Sequence, residues 1–178
     1  RHLTGEIGQE WNEMESDNKE TKTKFLKLVA EIIPHHMKFN AETEACDLLM
    51  EIEQLDLLEH YVDENTYHRV CLYIISCVPY VPDPENTVLL KTALKIYQNY
   101  NEWSQAMKVA LQLNDINLIS NIFLSCKDIG IRKQLAFMLG RQQISLDLDE
   151  NIDQYDDLVE ILSNTQLNNY FLSLAREL

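Results

Sequence analysis

The sequence predicts an all-α protein, built as a helical-hairpin solenoid of the HEAT or TPR type with a right-handed superhelix. The first observation is an internal repeat of about 61 residues, because the hydrophobic pattern of residues 28–75 recurs at residues 89–136. The second is composition, because the 178 residues include only 4 Gly and 4 Pro, which suits long helices and leaves few β-turns. Units that bury an apolar face by stacking on a copy of themselves are typical of solenoids.

The repeat consists of apolar positions, whereas the polar residues do not match, so a burial pattern recurs and not a binding site. The matching pairs include Leu28 and Leu89, Ile33 and Leu94, Ala45 and Ala106, Leu48 and Val109, Leu58 and Ile119, and Ile74 and Leu135. If the repeat is real, the two units superpose and these pairs are equivalent buried positions. The alternative is coincidence, because amphipathic helices of similar length align easily. The offset also does not fit a TPR unit of about 34 residues.

The first elements are predicted from apolar residues at helical spacing, or from the absence of such residues. Residues 1–13 are predicted to be helical because Leu3, Ile7 and Trp11 share one face. Residues 14–24 contain almost nothing apolar and are interpreted as a solvated loop.

A second helix carries the apolar stripe of residues 25–33, and Pro34 is expected to kink or break it. Asn40 is the expected N-cap of the next helix. Asp56 and Asp63 are the expected caps of a short helix and of a long apolar helix. Three prolines then lie between Pro79 and Pro84, which predicts a turn.

Strong periodicity and cap residues define the second half of the chain. Asp115 and Asp128 are the expected N-caps of two of its helices. Helices are predicted at residues 84–100, 102–113, 115–126, 128–142, 153–163 and 165–178, with an irregular acidic segment at 143–153. The predicted organisation is therefore a solenoid over residues 1–142 with two related units, an acidic connector at 143–153, and a C-terminal helical pair at 154–178.

Charge limits the classes of partner. The chain carries 29 acidic and 15 basic residues, a formal net charge of −14. Nucleic acid and anionic membrane surfaces attract Lys and Arg, so neither is expected as a partner. An acidic helical surface suits basic protein partners, or it serves solubility alone.

The cysteines bear on the compartment. Cys46, Cys71, Cys77 and Cys126 lie in apolar helical stretches without a CxxC pair. Reduced, buried thiols of a protein of the cytoplasm and nucleus are the favoured interpretation, and disulfides of a secreted domain are the alternative. The chain starts without Met or a signal-like segment and stops within a helical pattern, so both ends are interpreted as cuts through a longer protein.

Catalytic, cofactor and metal sites are not expected. Gly130 and Gly140 belong to no nucleophile elbow or phosphate-binding loop. The segment that starts at Asp149 resembles a calcium loop, but its sixth position, where the sharp turn needs Gly, is Gln154. The enzyme alternative, a metal-dependent hydrolase using the acidic segment and a histidine, has no ligand spacing to support it.

The densest acidic cluster is the candidate partner-binding site. Its six residues are Asp147, Asp149, Glu150, Asp153, Asp156 and Asp157. The apolar stripe of Leu158, Ile161 and Leu162 follows, so the segment could dock an apolar patch with a basic rim. The alternative is an acidic first turn that only complements the helix dipole.

Several long strings identify a relationship. Residues 1–13, 40–93, 113–128, 133–142 and 172–178, which include ACDLLMEIEQLDLLEHYVDENTYHRVCLYIISC and KQLAFMLGRQ, resemble the non-ATPase regulatory subunit 2 family of the 26S proteasome. This family comprises the large, toroid-bearing scaffold subunits of the regulatory-particle base. The resemblance covers nearly the whole chain and implies the helical rod that precedes the toroid of proteasome/cyclosome repeats.

The resemblance implies a scaffold role without catalysis or cofactor. The implied partners are other regulatory-particle subunits, including the ATPases, and ubiquitin or the ubiquitin-like domains of shuttle factors. The best-defined ubiquitin sites of the family lie on the toroid, so none of those residues can be carried onto this chain. A helical-repeat adaptor unrelated to the proteasome is the alternative outside the family.

Overall fold

The computed structural model describes residues 2–13 and 19–177, and within these the chain is helical with no β-strand. It forms two compact units, Arg1–Tyr100 and Asn101–Leu178. Unit one contains α1 (His2–Glu13), α2 (Lys19–Lys38), α3 (Glu42–Glu51), a 3-10 helix (Leu55–His60), α4 (Tyr67–Cys77), a second 3-10 helix (Val78–Tyr80) and α5 (Glu85–Asn99). Unit two contains α6 (Trp103–Leu113), α7 (Ile116–Ser125), α8 (Ile129–Arg141), α9 (Tyr155–Leu162) and α10 (Thr165–Glu177). The predicted all-α class is confirmed.

Helix α3 is the centre of unit one. It contacts α1, α2, α4 and the first 3-10 helix, while α4 packs on α5. Leu48, Leu49 and Ile52, at the end of this helix and just after it, are fully buried or nearly so. Its polar end is fixed by Glu42, whose carboxylate accepts hydrogen bonds from Nε and Nη2 of Arg69 on α4. Both donors bond the same oxygen, Oε1 of Glu42, and this charge-assisted contact links α3 to α4 more specifically than apolar contact alone.

Unit two is organised around α8. This helix contacts α6, α7 and α9. Phe123, Leu135 and Leu139 have no exposed surface, and neither has Leu158 of α9. Gly140 permits the close approach of α9, because a Cβ atom there would lie 2.8 Å from the carbonyl oxygen of Ile161.

The predicted helices of the second half are confirmed with shifts of one or two residues at their ends. The Asp115 side chain accepts hydrogen bonds from the amides of Asn117 and Leu118, at 2.9 and 3.3 Å. The Asp128 side chain accepts one from the amide of Ile131 at 2.9 Å. Both predicted N-caps are therefore confirmed.

Predictions near α2 need correction. The predicted loop at 14–24 is wrong over residues 19–24, which form the start of α2, and residues 14–18 lie outside the described part. Its polar first turns are held by an ion pair between Lys24 and Glu20 at 2.9 Å and by Lys22 above the Trp11 ring. Pro34 does not break α2, which continues to Lys38. A late proline removes one amide donor and leaves the other helical hydrogen bonds intact.

Asn40 is not the N-cap of α3, because that position is taken by Ala41. Asn40 instead adopts the left-handed conformation, with φ of 54°, after the end of α2. Asn tolerates this conformation better than most residues, which explains its use here.

The two aspartates predicted as caps between α3 and α4 have different roles. Asp56 lies inside the first 3-10 helix, whose N-cap is Gln54, so this prediction is wrong. Asp63 closes a turn in which its carboxylate accepts hydrogen bonds from the amides of Asn65 and Thr66, each at 2.9 Å. That turn leads directly into α4, although the N-cap position itself belongs to Thr66.

Elements recur in the order that the sequence repeat predicts. Shifted by the length of the repeat, α3, the first 3-10 helix and α4 fall on α6, α7 and α8. Left-handed backbone recurs as well, at Asn40 and Asn101 and again at Glu53 and Asn114. The second predicted repeat begins in unit one and ends in unit two, so repeat units and compact units have different boundaries. The repeat length itself stays a prediction that superposition must test.

All four cysteines are free thiols; Cys46, Cys71 and Cys126 are buried and Cys77 is partly exposed. Among the described helices, none combines the length and the apolar character that crossing a membrane requires.

Candidate functional site

The predicted acidic site lies on the connector between α8 and α9 and on the first turn of α9. Four of the six acidic residues, Asp147, Asp149, Glu150 and Asp153, lie on the connector, and two lie on the helix. All six side chains are exposed. The structure thus places the six residues along one continuous segment, as their sequence requires.

Two of these carboxylates have partners within the chain. Asp149 accepts hydrogen bonds from the backbone amide and the side-chain amide of Asn151, at 3.0 and 2.6 Å. Asp157 pairs with Lys133 on α8, with 2.7 Å between Oδ2 and Nζ. Both contacts stabilise the local fold. The other four acidic side chains of the cluster are therefore the most available to bind a partner.

The apolar stripe expected beside the acidic cluster faces the protein interior. Leu158 is fully buried, while Ile161 and Leu162 are partly buried, on a helix that packs against α8. Val159 is the large apolar residue that α9 leaves exposed, at 39%. Hydrophobic spacing cannot distinguish a face that packs within the chain from one that binds a partner, so the sequence did not indicate this burial.

Metal binding has no support from the geometry of the described residues, which contain no group of three or more His, Cys, Asp or Glu side chains able to hold an ion. Gln154 does adopt the left-handed backbone that the sixth position of a calcium loop requires, with φ of 57°. However, α9 starts at the next residue, and Asp149 already bonds Asn151. The acidic segment thus leads directly into the first turn of α9.

Thiol chemistry is suppressed in the core. Burial raises the pKa of the Cys71 thiol to about 12 and also raises the pKa of Cys46. A thiolate is the reactive form of cysteine, so at neutral pH these two side chains are inert and act as small apolar groups.

The sequence did not indicate an apolar groove in unit one. Met50, Leu55, Val81, Pro84, Val88 and Leu89 line it, and Glu53, Asp56 and Glu85 stand at its edge. We call it the acidic-rimmed groove. Its residues come from two segments that are far apart in the sequence, so no local pattern could have predicted it.

A related groove lies in unit two, lined by Lys108, Leu111, Gln112, Asn114, Met138, Arg141, Gln142 and Ile144. We call it the basic-rimmed groove. Three positions correspond to the first groove after a shift by the length of the repeat: Met50 to Leu111, Glu53 to Asn114, and Val81 to Gln142. The two grooves thus share three positions at the predicted repeat offset, and their rims carry opposite charge.

Helix α10 exposes most of its large apolar side chains. Tyr170 is 70% exposed and Phe171 is 62% exposed. Leu167, Leu172 and Leu174 are each about half exposed. The helix is thus amphipathic in sequence yet has no buried residue among those described.

Comparison with known proteins gives a consistent result over the whole chain. The profile of the family described as "RPN1 N-terminal domain" matches residues 1–178. The chain is 41% identical over 179 residues to 26S proteasome non-ATPase regulatory subunit 2 of Dictyostelium discoideum. It is 37% identical over 182 residues to homolog A of that subunit in Arabidopsis thaliana, and 40% identical over 179 residues to 26S proteasome regulatory subunit rpn-1 of Neurospora crassa. Each alignment covers 100% of this chain and 20% of the relative, so the chain spans about a fifth of their length.

Proposed function

Because the chain belongs to the RPN1 N-terminal domain family, we propose that it is a non-catalytic scaffold segment of a proteasome regulatory subunit. The observation that carries this proposal is the family match over all 178 residues, together with relatives that are named as regulatory subunits of the 26S proteasome. The expected partners are other subunits of the regulatory particle, including its ATPases, in the cytoplasm and nucleus. The helical architecture of both units and the buried thiols of Cys46 and Cys71 support a structural role.

Assembly is tested with the full-length protein that contains this segment. We expect the tagged protein, expressed in its own cells, to purify with the subunits of the regulatory particle. Purification without any of them would contradict the proposal. A photo-crosslinking residue in place of Val159, which is exposed, would then identify the neighbour of α9 by mass spectrometry.

Docking of ubiquitin or ubiquitin-like domains is the finer part of the proposal. The exposed charges at Asp153 and Asp156, with Val159 one helical turn beyond Asp156, form a small acidic surface with an apolar residue in it. Such a surface suits a partner whose apolar patch has basic neighbours. Binding should be weak and should fall with salt, because exposed charges are screened over ~8 Å at physiological ionic strength.

Docking is tested by titrating the isotope-labelled 178-residue chain with ubiquitin and following amide shifts by NMR. The variant D153N/D156N removes two charges and leaves the pair between Asp157 and Lys133 intact. We expect it to weaken binding about three- to fivefold, as two exposed ion pairs would. The matched control is E6Q/E10Q on α1, which makes the same change in charge at exposed positions. Equal affinity of both variants, or shifts outside residues 144–160, would place the contact elsewhere.

A further inference from the structure

The acidic-rimmed groove has the dimensions of a binding site. Its volume is about 420 Å³, within the ~300–1,000 Å³ typical of sites that enclose a ligand group. The last turn of α3, the first 3-10 helix and the first turns of α5 form its walls. All three elements are packed in unit one, so the groove is part of the folded core and not a gap between loose segments.

The turn after α3 sets the shape of the groove. Glu53 adopts the left-handed conformation with φ of 56°, and the amide of Gln54 bonds the carbonyl of Leu49 at 2.9 Å. This closure ends α3 and turns the chain into the 3-10 helix, so that Met50 and Leu55 both line the groove. A capped, hydrogen-bonded turn holds its side chains in place, so the groove is largely preformed.

The floor of the groove is apolar and partly open to solvent. Leu55 and Leu89 are buried at its base, with 4% and 2% exposure. Val88 stands in the groove with 48% of its surface exposed, a high value for a residue on a helix that packs in the core. Covering Val88 with an apolar group would remove this surface from water, which is a favourable change.

The rim has charge of one sign. Glu53, Asp56 and Glu85 are exposed, and none of them takes part in an ion pair among the described residues. The lining of the groove includes no Lys or Arg side chain. Three uncompensated carboxylates around an apolar floor attract cations and repel an acidic ligand or nucleic acid.

We propose that the acidic-rimmed groove binds a protein segment that presents an apolar side chain between Lys or Arg residues. The apolar side chain covers Val88 and the base of the groove, and the flanking cations reach the carboxylates of Glu53, Asp56 and Glu85. Apolar contact provides most of the affinity, while the charges select the segment and orient it. This groove does not include the acidic connector. A negative result for the groove would therefore leave the assignment of the chain to its family unaffected.

The basic-rimmed groove provides an internal control. The charged side chains of its lining are Lys108 and Arg141, and its apolar side chains include Leu111 and Ile144. A ligand that recognised only apolar surface would bind both grooves. A ligand of the proposed kind should avoid the second groove because like charges oppose it.

The probe is a fluorescein-labelled peptide, Gly-Lys-Arg-Leu-Lys-Arg-Gly, titrated into the 178-residue chain with anisotropy as the readout. Two comparison peptides are titrated in the same way. Gly-Lys-Arg-Ser-Lys-Arg-Gly lacks the apolar side chain, and Gly-Glu-Glu-Leu-Glu-Glu-Gly has the opposite charge. We expect the first peptide to bind, the second to bind more weakly, and the third not to bind. In NMR spectra the first peptide should shift the methyl signals of Val81 and Val88 and not those of Leu111 and Ile144.

Variants separate the groove from general electrostatics. E53Q/D56N/E85Q should weaken the first peptide about tenfold, as the loss of three exposed ion pairs would. The control E6Q/E10Q/E31Q removes the same charge from exposed positions on α1 and α2, which belong neither to the groove nor to the acidic connector, and should have little effect. V88K places a cation in the groove and should abolish binding, and circular dichroism with thermal unfolding checks that each variant is folded.

Three outcomes would overturn the proposal. One is equal binding of the leucine and serine peptides, which would show association by charge alone. Another is equal weakening by the groove variant and the E6Q/E10Q/E31Q control, and a third is no binding of the leucine peptide at millimolar protein.

Discussion

Residues 42–77 and residues 103–138 form two runs of helices that share their burial but not their polar chemistry. Leu48 and Val109 are both almost fully buried, as are Leu58 and Ile119. The polar positions differ. The first run begins with Glu42, which accepts hydrogen bonds from Arg69. In the second run, Trp103 stands at the position of Glu42 and Gly130 at the position of Arg69.

This difference separates two kinds of constraint. Apolar positions that bury a shared helix arrangement recur because packing depends on shape and volume. Surface positions have no such constraint, so the rims of the two grooves carry opposite charge. We infer that the helices provide a common framework and that each rim was free to suit a different partner.

The most severe test of the comparison is truncation at equivalent core positions. We expect L58A and I119A each to lower the free energy of unfolding by ~2–5 kcal/mol, because both side chains are buried in a packed core. The controls are L57A and L118A at the preceding positions, which are only partly buried and should cost less. Urea unfolding followed by circular dichroism provides the measurement. A small effect at one core position and a large effect at the other would break the equivalence.

A smaller effect is expected just beyond the second run, where the end of α8 approaches α9. A Cβ atom at Gly140 would meet the carbonyl oxygens of Ile161 and Leu162 at 2.8 and 3.3 Å. We expect G140A to destabilise unit two, because overpacking costs ~1–3 kcal/mol and the gain in helix propensity is at most ~1 kcal/mol. Hydrogen exchange should increase in α9.

The control for Gly140 is Gly5 on α1, where a Cβ atom would meet nothing within 4 Å. G5A should therefore raise stability by ~0.5–1 kcal/mol through helix propensity alone. If G140A were as stabilising as G5A, the close approach of α9 to α8 would be incorrect.

Removing a cap residue should lower the free energy of unfolding by about 1 kcal/mol more in the second run than in the first. Asp115 and Asp128 bond the first amides of α7 and α8, so D115A and D128A should each cost ~0.5–2 kcal/mol. Gln54, which precedes the first 3-10 helix, makes no side-chain bond to it. Q54A should therefore stay within ~0.5 kcal/mol of the parent chain in urea unfolding. Equal costs at all three positions would remove this distinction.

The accuracy of the sequence prediction also differs between the two parts of the chain. The helices of the second half were predicted closely because Asp115 and Asp128 mark their starts and their apolar spacing is regular. The start of α2 was missed because its first turns are polar, and because the contact of Lys22 with the Trp11 ring of α1 is a tertiary contact that local spacing does not reveal.

The candidate site shows a related limit. The six acidic residues could be located because charge density is visible in a sequence. The burial of Leu158 against α8 and the existence of the acidic-rimmed groove could not be predicted. Both depend on segments that meet only after folding, and a hydrophobic pattern does not say which surface covers it.

The smallest expected effect is a pH dependence that arises in the first predicted repeat, from His36 on α2. His36 is partly buried, and its Nδ1 has no hydrogen-bond partner among the described residues. Burial lowers the pKa of His36 below 6.5, and the charge of His35 lowers it further, while Glu44 acts in the opposite direction. The corresponding position of the second predicted repeat is Tyr97, which is buried and has no imidazole ring.

The pKa of His36 is lower in the folded chain than in the unfolded chain. The unfolded chain therefore binds more protons as the pH falls below 6.5. Stability should therefore fall as the pH drops through 6.5 toward the folded-state pKa, and the fall should level off below it. Urea unfolding across the range from neutral to mildly acidic pH should show a shallower dependence in H36Q than in the parent chain, and the ring signals of His36 should titrate below pH 6.5. The same slope in both chains would assign the pH dependence to other groups and leave His36 without a role in it.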